Sequence, residues 1–204
     1  MFKIGFVGNS CTGKTTSCFS LIKLLKLKKT LTSYCTDACR FVTFNPEKFD
    51  TDPKTRLHVL FKQMANELEQ EVREDADYLI TERTVIDWFI YYIWTCKASD
   101  NPISPEVESL VNEWIRTYEI IFFMDAKSMY YVDDGFRPAS TKIRNEVNEL
   151  YDIFLYKLQT EFPGQVILIE GDDLEKRNQL VEDKMNEWLA KGKNLVVREG
   201  KIRT

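Results

Sequence analysis

Between an apolar run, Phe2 to Val7, and an amphipathic stretch from Lys14 to about Leu27, the chain carries Gly8-Asn9-Ser10-Cys11-Thr12-Gly13-Lys14-Thr15. A glycine, four residues and then Gly-Lys-Thr is the phosphate-loop spacing, and a place between strand and helix is the context that pattern requires. Glycines at both ends let the backbone curl until successive N–H groups face one anion, and the helix starting near Lys14 adds the positive end of its dipole. Lys14 can reach the outer phosphates of a nucleotide, and the Thr15 hydroxyl can ligate magnesium. ATP and Mg2+ are therefore the expected ligands, with Gly8, Asn9, Ser10, Cys11, Thr12, Gly13, Lys14, Thr15 and Thr16 lining the phosphate site. Gly8 and Gly13 alone would also suit a plain strand-to-helix turn, but such a turn needs neither Lys14 nor Thr15 at those offsets.

The remaining pattern alternates strands with helices. Leu31–Thr36, Asp77–Thr81, Ile120–Met124 and Gln165–Glu170 read as further strands. Arg56–Arg73, Val85–Thr95, Glu106–Thr117, Thr141–Thr160 and Leu174–Ala190 read as helices, and Asn45-Pro46 and Asp52-Pro53 mark turns in the connection from Asp37 to Pro53. The expected fold is α/β: a three-layer P-loop NTPase sandwich whose mostly parallel sheet is flanked by helices, with ligands outside the carboxyl ends of the strands. One domain over residues 1–190 suits a 204-residue chain. The polar stretch Lys127 to Ser140 has the composition of a mobile loop, which makes a lid over about 127–145, and 191–204 reads as a basic tail.

A formal net charge of -4 lacks the basic footprint of a dedicated nucleic-acid binder. Five cysteines, an odd number, fit reduced thiols and a cytoplasmic location; Cys35 and Cys39 have no second pair at zinc spacing, and the single histidine, His58, falls in a helical run. No stretch reads as a signal peptide or membrane span.

The motif suits GTPases and mechanical ATPases as well, so the rest of the chain must discriminate. There is no Asn-Lys-x-Asp guanine-reading segment and no Asp-x-x-Gly switch after a strand. Three features favour a kinase. The strand Tyr78-Leu79-Ile80-Thr81 delivers Glu82-Arg83 to the sheet's carboxyl edge. Asp37, with Arg40, follows the second strand and can orient an acceptor hydroxyl or merely cap a turn. Arg137 and Arg144 straddle the lid and the next helix, where arginines can close over ATP, offset charge on the transferring phosphoryl and exclude water. Lys14, Asp37, Glu82, Arg83, Arg137 and Arg144 are thus the expected catalytic set.

Glu82-Arg83 resembles the acid-arginine signature of nucleoside and thymidylate kinases, which implies a position beside the transferring phosphate and the acceptor. Gly8 to Thr15, Asp37 to Arg40, Glu82-Arg83 with Asp87, and Asp133-Asp134-Gly135-Phe136-Arg137 together resemble the small P-loop kinases that include the nicotinamide riboside kinase domain and related bacteriophage proteins, in motif order from residue 4 to about residue 190. The chain departs from that pattern in Glu82, where Asp is commoner, and in the aromatic helix from Trp88 to Trp94, one of whose rings is expected to face the site, with Phe41 and Phe44 as comparable candidates. The expected acceptor is a small nucleoside, nucleotide or nicotinamide-riboside-like molecule. Two other readings stay open: a modified base or an end of DNA or RNA as acceptor, served by Lys23, Lys26, Lys28, Lys29 and the basic tail, and a regulatory ATPase whose output is a partner interaction.

Overall fold

The computed structural model describes residues 1–43, 48, 51–73, 75–126 and 141–190. Five parallel strands form one sheet in the order β2-β3-β1-β4-β5: β1 Phe2–Val7, β2 Thr32–Cys35, β3 Tyr78–Glu82, β4 Ile120–Met124 and β5 Val166–Ile169. The described helices are α1 Lys14–Leu27, α2 Pro53–Glu71, α3 Val85–Ala98, α4 Pro105–Ile115, α5 Thr141–Glu161 and α6 Leu174–Ala190, with a 3-10 turn over Ala38–Phe41. The strands are short and nearly continuous in apolar residues because both faces of a parallel sheet are covered.

Alternation along the strands sorts the side chains into two cores. Ile4, Phe6, Tyr78, Ile80, Ile120, Phe122 and Met124 pack with Cys18, Leu21 and Leu25 of α1 and Val181 and Met185 of α6. Val7, Ile121 and Phe123 face the other way, into a core closed by α2, α3, α4 and α5. The three-layer sandwich read from the sequence is therefore the fold. Its boundaries move by a few residues: α2 begins at Pro53, where Asp52 caps it by accepting from the Lys54 N–H, and β3 runs on to include Glu82. Residues 127–140 of the expected lid, Phe44 and the tail 191–204 lie outside the described residues.

At the end of β1 opposite the phosphate loop, Lys3 is buried against α2 and α4. Its ammonium stands 3.0 Å from Glu67 and 2.7 Å from Glu71, and lies 4.7 Å above the rings of both Trp114 and Tyr118. Glu67 also accepts from the Trp114 indole N–H and the Tyr118 hydroxyl, each at 2.8 Å. Burial first, and then the charge of Glu67, push the Tyr118 pKa well up, so the phenol remains a donor. Replacing Lys3 by Met leaves Glu67 buried without its cation. Urea unfolding of that variant is expected to show a loss of about 3–5 kcal/mol, with nucleotide binding at the far end of the strand unchanged.

Candidate active site

The site is built at the carboxyl ends of β1, β3 and β4. Gly8 leaves β1 at φ 149°, and a Cβ there would meet the Met124 carbonyl oxygen at 2.6 Å, so neither the conformation nor the space admits another residue. Gly13 turns the chain into α1 through a left-handed conformation, φ 79°. Lys14, at the first position of α1, folds its buried side chain back inside the loop. Its ammonium donates to the Gly8 carbonyl at 2.7 Å, to Thr12 Oγ1 at 3.2 Å and to the Asn9 carbonyl. A cation is thereby stationed at the centre of the curled backbone.

Beneath the loop lies a buried ion cluster. Arg83 donates through Nε to Asp37 at 2.9 Å, approaches Asp87 at 3.4 Å and donates to Ser10 Oγ at 3.2 Å. Asp87 divides its two oxygens. One accepts from the Gly8 N–H at 3.0 Å and the Tyr151 hydroxyl at 2.8 Å; the other accepts from the Thr84 N–H at 2.8 Å, completing a capping box at the start of α3. Asp37 caps the 3-10 turn through the Cys39 N–H, at 3.0 Å, as well as pairing with Arg83, so one side chain is both a cap and an ion-pair partner. Burial opposes the charge on Arg83, but Asp37 above all, with Asp87, outweighs it and holds the pKa well above its ordinary value. The backbone of Arg83 is left-handed, φ 65°, and buried Gln63 pins it there by donating to the Arg83 carbonyl at 3.2 Å while accepting from the Ala38 N–H at 3.1 Å.

Glu82 ends β3 in register with Phe6 of β1, which brings its carboxylate to the first turn of α1. The Thr15 hydroxyl donates to one of its oxygens, near which Arg40 also stands at 3.5 Å; the Tyr34 hydroxyl and, at 3.4 Å, that of Thr36 donate to the other. A hydroxyl and a carboxylate in contact are hard oxygen donors of the kind magnesium selects. Thr15 and Glu82 therefore fit a magnesium site. Among the described residues no group of three or more His, Cys, Asp or Glu forms an all-protein metal cage.

Asn9 joins the loop to two helices. It accepts from the Tyr91 hydroxyl of α3 at 2.8 Å and donates to Asn148 of α5 at 2.7 Å and to the backbone carbonyl of Arg144 at 3.4 Å. Arg144 is thus anchored one turn from the loop's contact on α5, whereas Arg137 lies outside the described residues. Of the aromatic set on α3, Trp88, Phe89, Tyr92 and Trp94 are core. Tyr91 is the ring brought to the loop, with the guanidiniums of Arg56 at 4.9 Å and Arg83 at 5.7 Å from its centre. Thr16 follows Thr15 on α1 and is exposed, as is Phe41 at the end of the 3-10 turn; Cys11 takes a left-handed backbone at the loop's tip, φ 60°.

Gln63, Arg56, Tyr34 and Arg177 are missed by the sequence reading, because each looks like an ordinary member of its element. Arg177 is fully buried at the start of α6 and donates to the carbonyls of Thr12 at 3.2 Å, Ile169 at 2.7 Å and Asp125, tying the loop to the ends of β4 and β5. Burial lowers its pKa, with Asp125 opposing. Because the peptide is trans, a Thr12 carbonyl turned to Arg177 sends the Gly13 N–H to the opposite side.

A family model described as AAA domain matches residues 3–177, and the chain belongs to that family. Its fold is that of the P-loop kinases. Thymidylate kinase from Ehrlichia chaffeensis is similar at TM-score 0.61 and 15% identity over 92% of this chain and 98% of that one. Deoxyadenosine kinase from M. mycoides with bound dATP is similar at TM-score 0.60 and 15% identity over 91% and 100%. The NadR protein in complex with NR is similar at TM-score 0.62 and 16% identity over 92% of this chain and 50% of that one. No curated protein sequence matches.

The ion cluster makes Arg83 a stability determinant. Arg83→Met leaves Asp37 and Asp87 buried without their shared cation, and a loss of about 3–5 kcal/mol is expected from the shift in its urea midpoint. An unchanged midpoint would show that the two carboxylates are compensated without it.

Proposed function

We propose that this chain is a phosphotransferase that moves the γ-phosphoryl group of Mg-ATP to a small nucleoside, nucleotide or nicotinamide-riboside-like acceptor. The observation that carries the reading is the convergence of Lys14, the Thr15–Glu82 pair and Arg83 on one phosphate loop. A glycine turn or a bare anion site requires no such set, and the fold shared with kinases of nucleosides and nucleotides gives it context.

In this mechanism the loop N–H groups bind the phosphates, and Lys14 exchanges the carbonyls of Gly8 and Asn9 for phosphate oxygens. Thr15 and Glu82 would hold magnesium, which would supply charge neutralisation on the β- and γ-oxygens. The acceptor hydroxyl oxygen bonds to the γ-phosphorus in line as the bond to the β–γ bridging oxygen breaks, and ADP leaves. With Glu82 engaged at Thr15, Asp37 is the carboxylate assigned to orient the acceptor hydroxyl and take its proton. Arg83, Arg144 and Arg137 offset the charge that develops on the transferring group. Residues 127–145 are proposed as the lid, and 191–204 as a tail outside the catalytic domain. The five free cysteines fit a reducing, cytoplasmic location. Among the described residues no helix is long and apolar enough to cross a membrane.

A transfer screen with γ-labelled ATP, magnesium and parallel nucleoside, nucleotide, nicotinamide riboside and DNA acceptors is expected to place label on one small molecule. Label on DNA alone, or free phosphate alone, would contradict the proposal. Lys14→Ala is expected to lower that transfer by about 10²-fold or more while the protein stays folded by circular dichroism. Asp37→Asn is expected to lower kcat by about 10²-fold with ATP affinity nearly unchanged; a silent substitution would leave Asp37 a cap and an anchor for Arg83.

A further inference from the structure

Glu82 receives its partners in two halves, and the division follows the elements they come from. One oxygen faces the loop side, where it accepts from Thr15 of α1 and has Arg40 at 3.5 Å. The other faces the edge of the sheet, where it accepts from Tyr34 at the end of β2 and from Thr36 just beyond it. Tyr34 is itself steered by packing: its ring lies 5.2 Å from that of Phe19 on α1, tilted by 40°, a contact that helps to place the phenolic oxygen beside the carboxylate. Nothing in the phosphate-loop motif calls for a phenol at this place.

We infer that Tyr34, assisted by Thr36, is a positioning residue of the metal site: it locks one oxygen of Glu82 to β2 so that the other is presented to Thr15 and to a divalent cation, while Arg40 stands in for that cation until it arrives. The inference rests on the proposed magnesium site.

The chemistry supports a division of labour. A carboxylate turns easily about its last torsion, and a group free to turn can chelate through both oxygens or swing toward Arg40. A donor on the sheet-side oxygen removes that freedom without competing for the lone pairs that a cation needs on the other, as the outer partners of metal ligands do elsewhere. Arg40 is of opposite character. Its side chain is 55% exposed, and an ion pair so open to solvent is easily exchanged. In the absence of metal it compensates a largely buried carboxylate; a cation near the same oxygen repels it. Metal binding then frees Arg40 beside Asp37, on the side assigned to the acceptor. Two substitutions around one carboxylate should therefore act on metal affinity in opposite directions.

The test uses Mn2+, which shares the preference of Mg2+ for octahedral oxygen sites, bound to the full chain in the presence of ADP and measured by electron paramagnetic resonance of the free ion. Tyr34→Phe keeps the ring against Phe19 and removes only the hydroxyl. Its Mn2+ Kd is expected to rise about tenfold, with ADP affinity in chelator as in the parent protein and the chain still folded by circular dichroism, and Thr36→Val is expected to move it less in the same direction. Arg40→Met is expected to lower the Kd. A Tyr34→Phe protein that binds Mn2+ as tightly as the parent would overturn the positioning role, and an Arg40→Met protein that binds it more weakly would overturn the displacement of Arg40. If the parent protein itself shows no ADP-dependent Mn2+ site, the proposed function fails first and this inference fails with it.

Discussion

The buried pair of carboxylates around Arg83 is the interaction on which the rest of the site depends. Asp87 accepts the N–H of Gly8, the residue at which β1 becomes the phosphate loop, and with its other oxygen caps the helix that carries Tyr91. Asp37 fixes the start of the connection after β2. One guanidinium between them sets the spacing of three segments that sequence keeps far apart, residues 8–10, 37–39 and 83–87. Besides the guanidinium, backbone N–H groups, the Tyr151 hydroxyl and the N-terminus of α3 meet the oxygens of Asp87, which is why so many donors crowd onto it.

Around this cluster each strand end has a task. β1 ends in the loop, β3 delivers Glu82 and then Arg83 on a left-handed turn, β2 supplies Tyr34 and Asp37, and the ends of β4 and β5 are bound to the loop through Arg177. The parallel sheet makes this possible because all five strands present their carboxyl ends on the same edge. Lys14 occupies the loop from within, already placed where the charge of a bound polyphosphate would lie, and Asn9 extends the connection to α5 and Arg144.

The fold was legible because its signals are local. The phosphate-loop spacing, the apolar runs of Phe2–Val7 and Ile120–Met124 and the helical periodicity of α2 and α5 each fix one element, and alternation of elements fixes the layers. Glu82, Arg83 and Asp37 could be picked out because they follow strands whose ends meet the loop. Gln63, Arg56, Tyr34, Asn148 and Arg177 could not. Their importance arises from contacts across 20 to 165 positions of chain, and in the sequence each is one polar residue on an otherwise ordinary strand or helix. The aromatic run Trp88–Trp94 shows the same limit from the other side: periodicity marks it as helical, but only packing separates Tyr91, turned to the loop, from neighbours that fill the core.

Titration calorimetry of the full chain with ATP, with and without magnesium, tests the central claim most directly. A cation inside a curled loop, an adjoining hydroxyl–carboxylate pair and an arginine at Ser10 predict one ATP site per chain, tightened by magnesium. A chain that binds no ATP, or binds it equally well in chelator and in magnesium, would contradict the account.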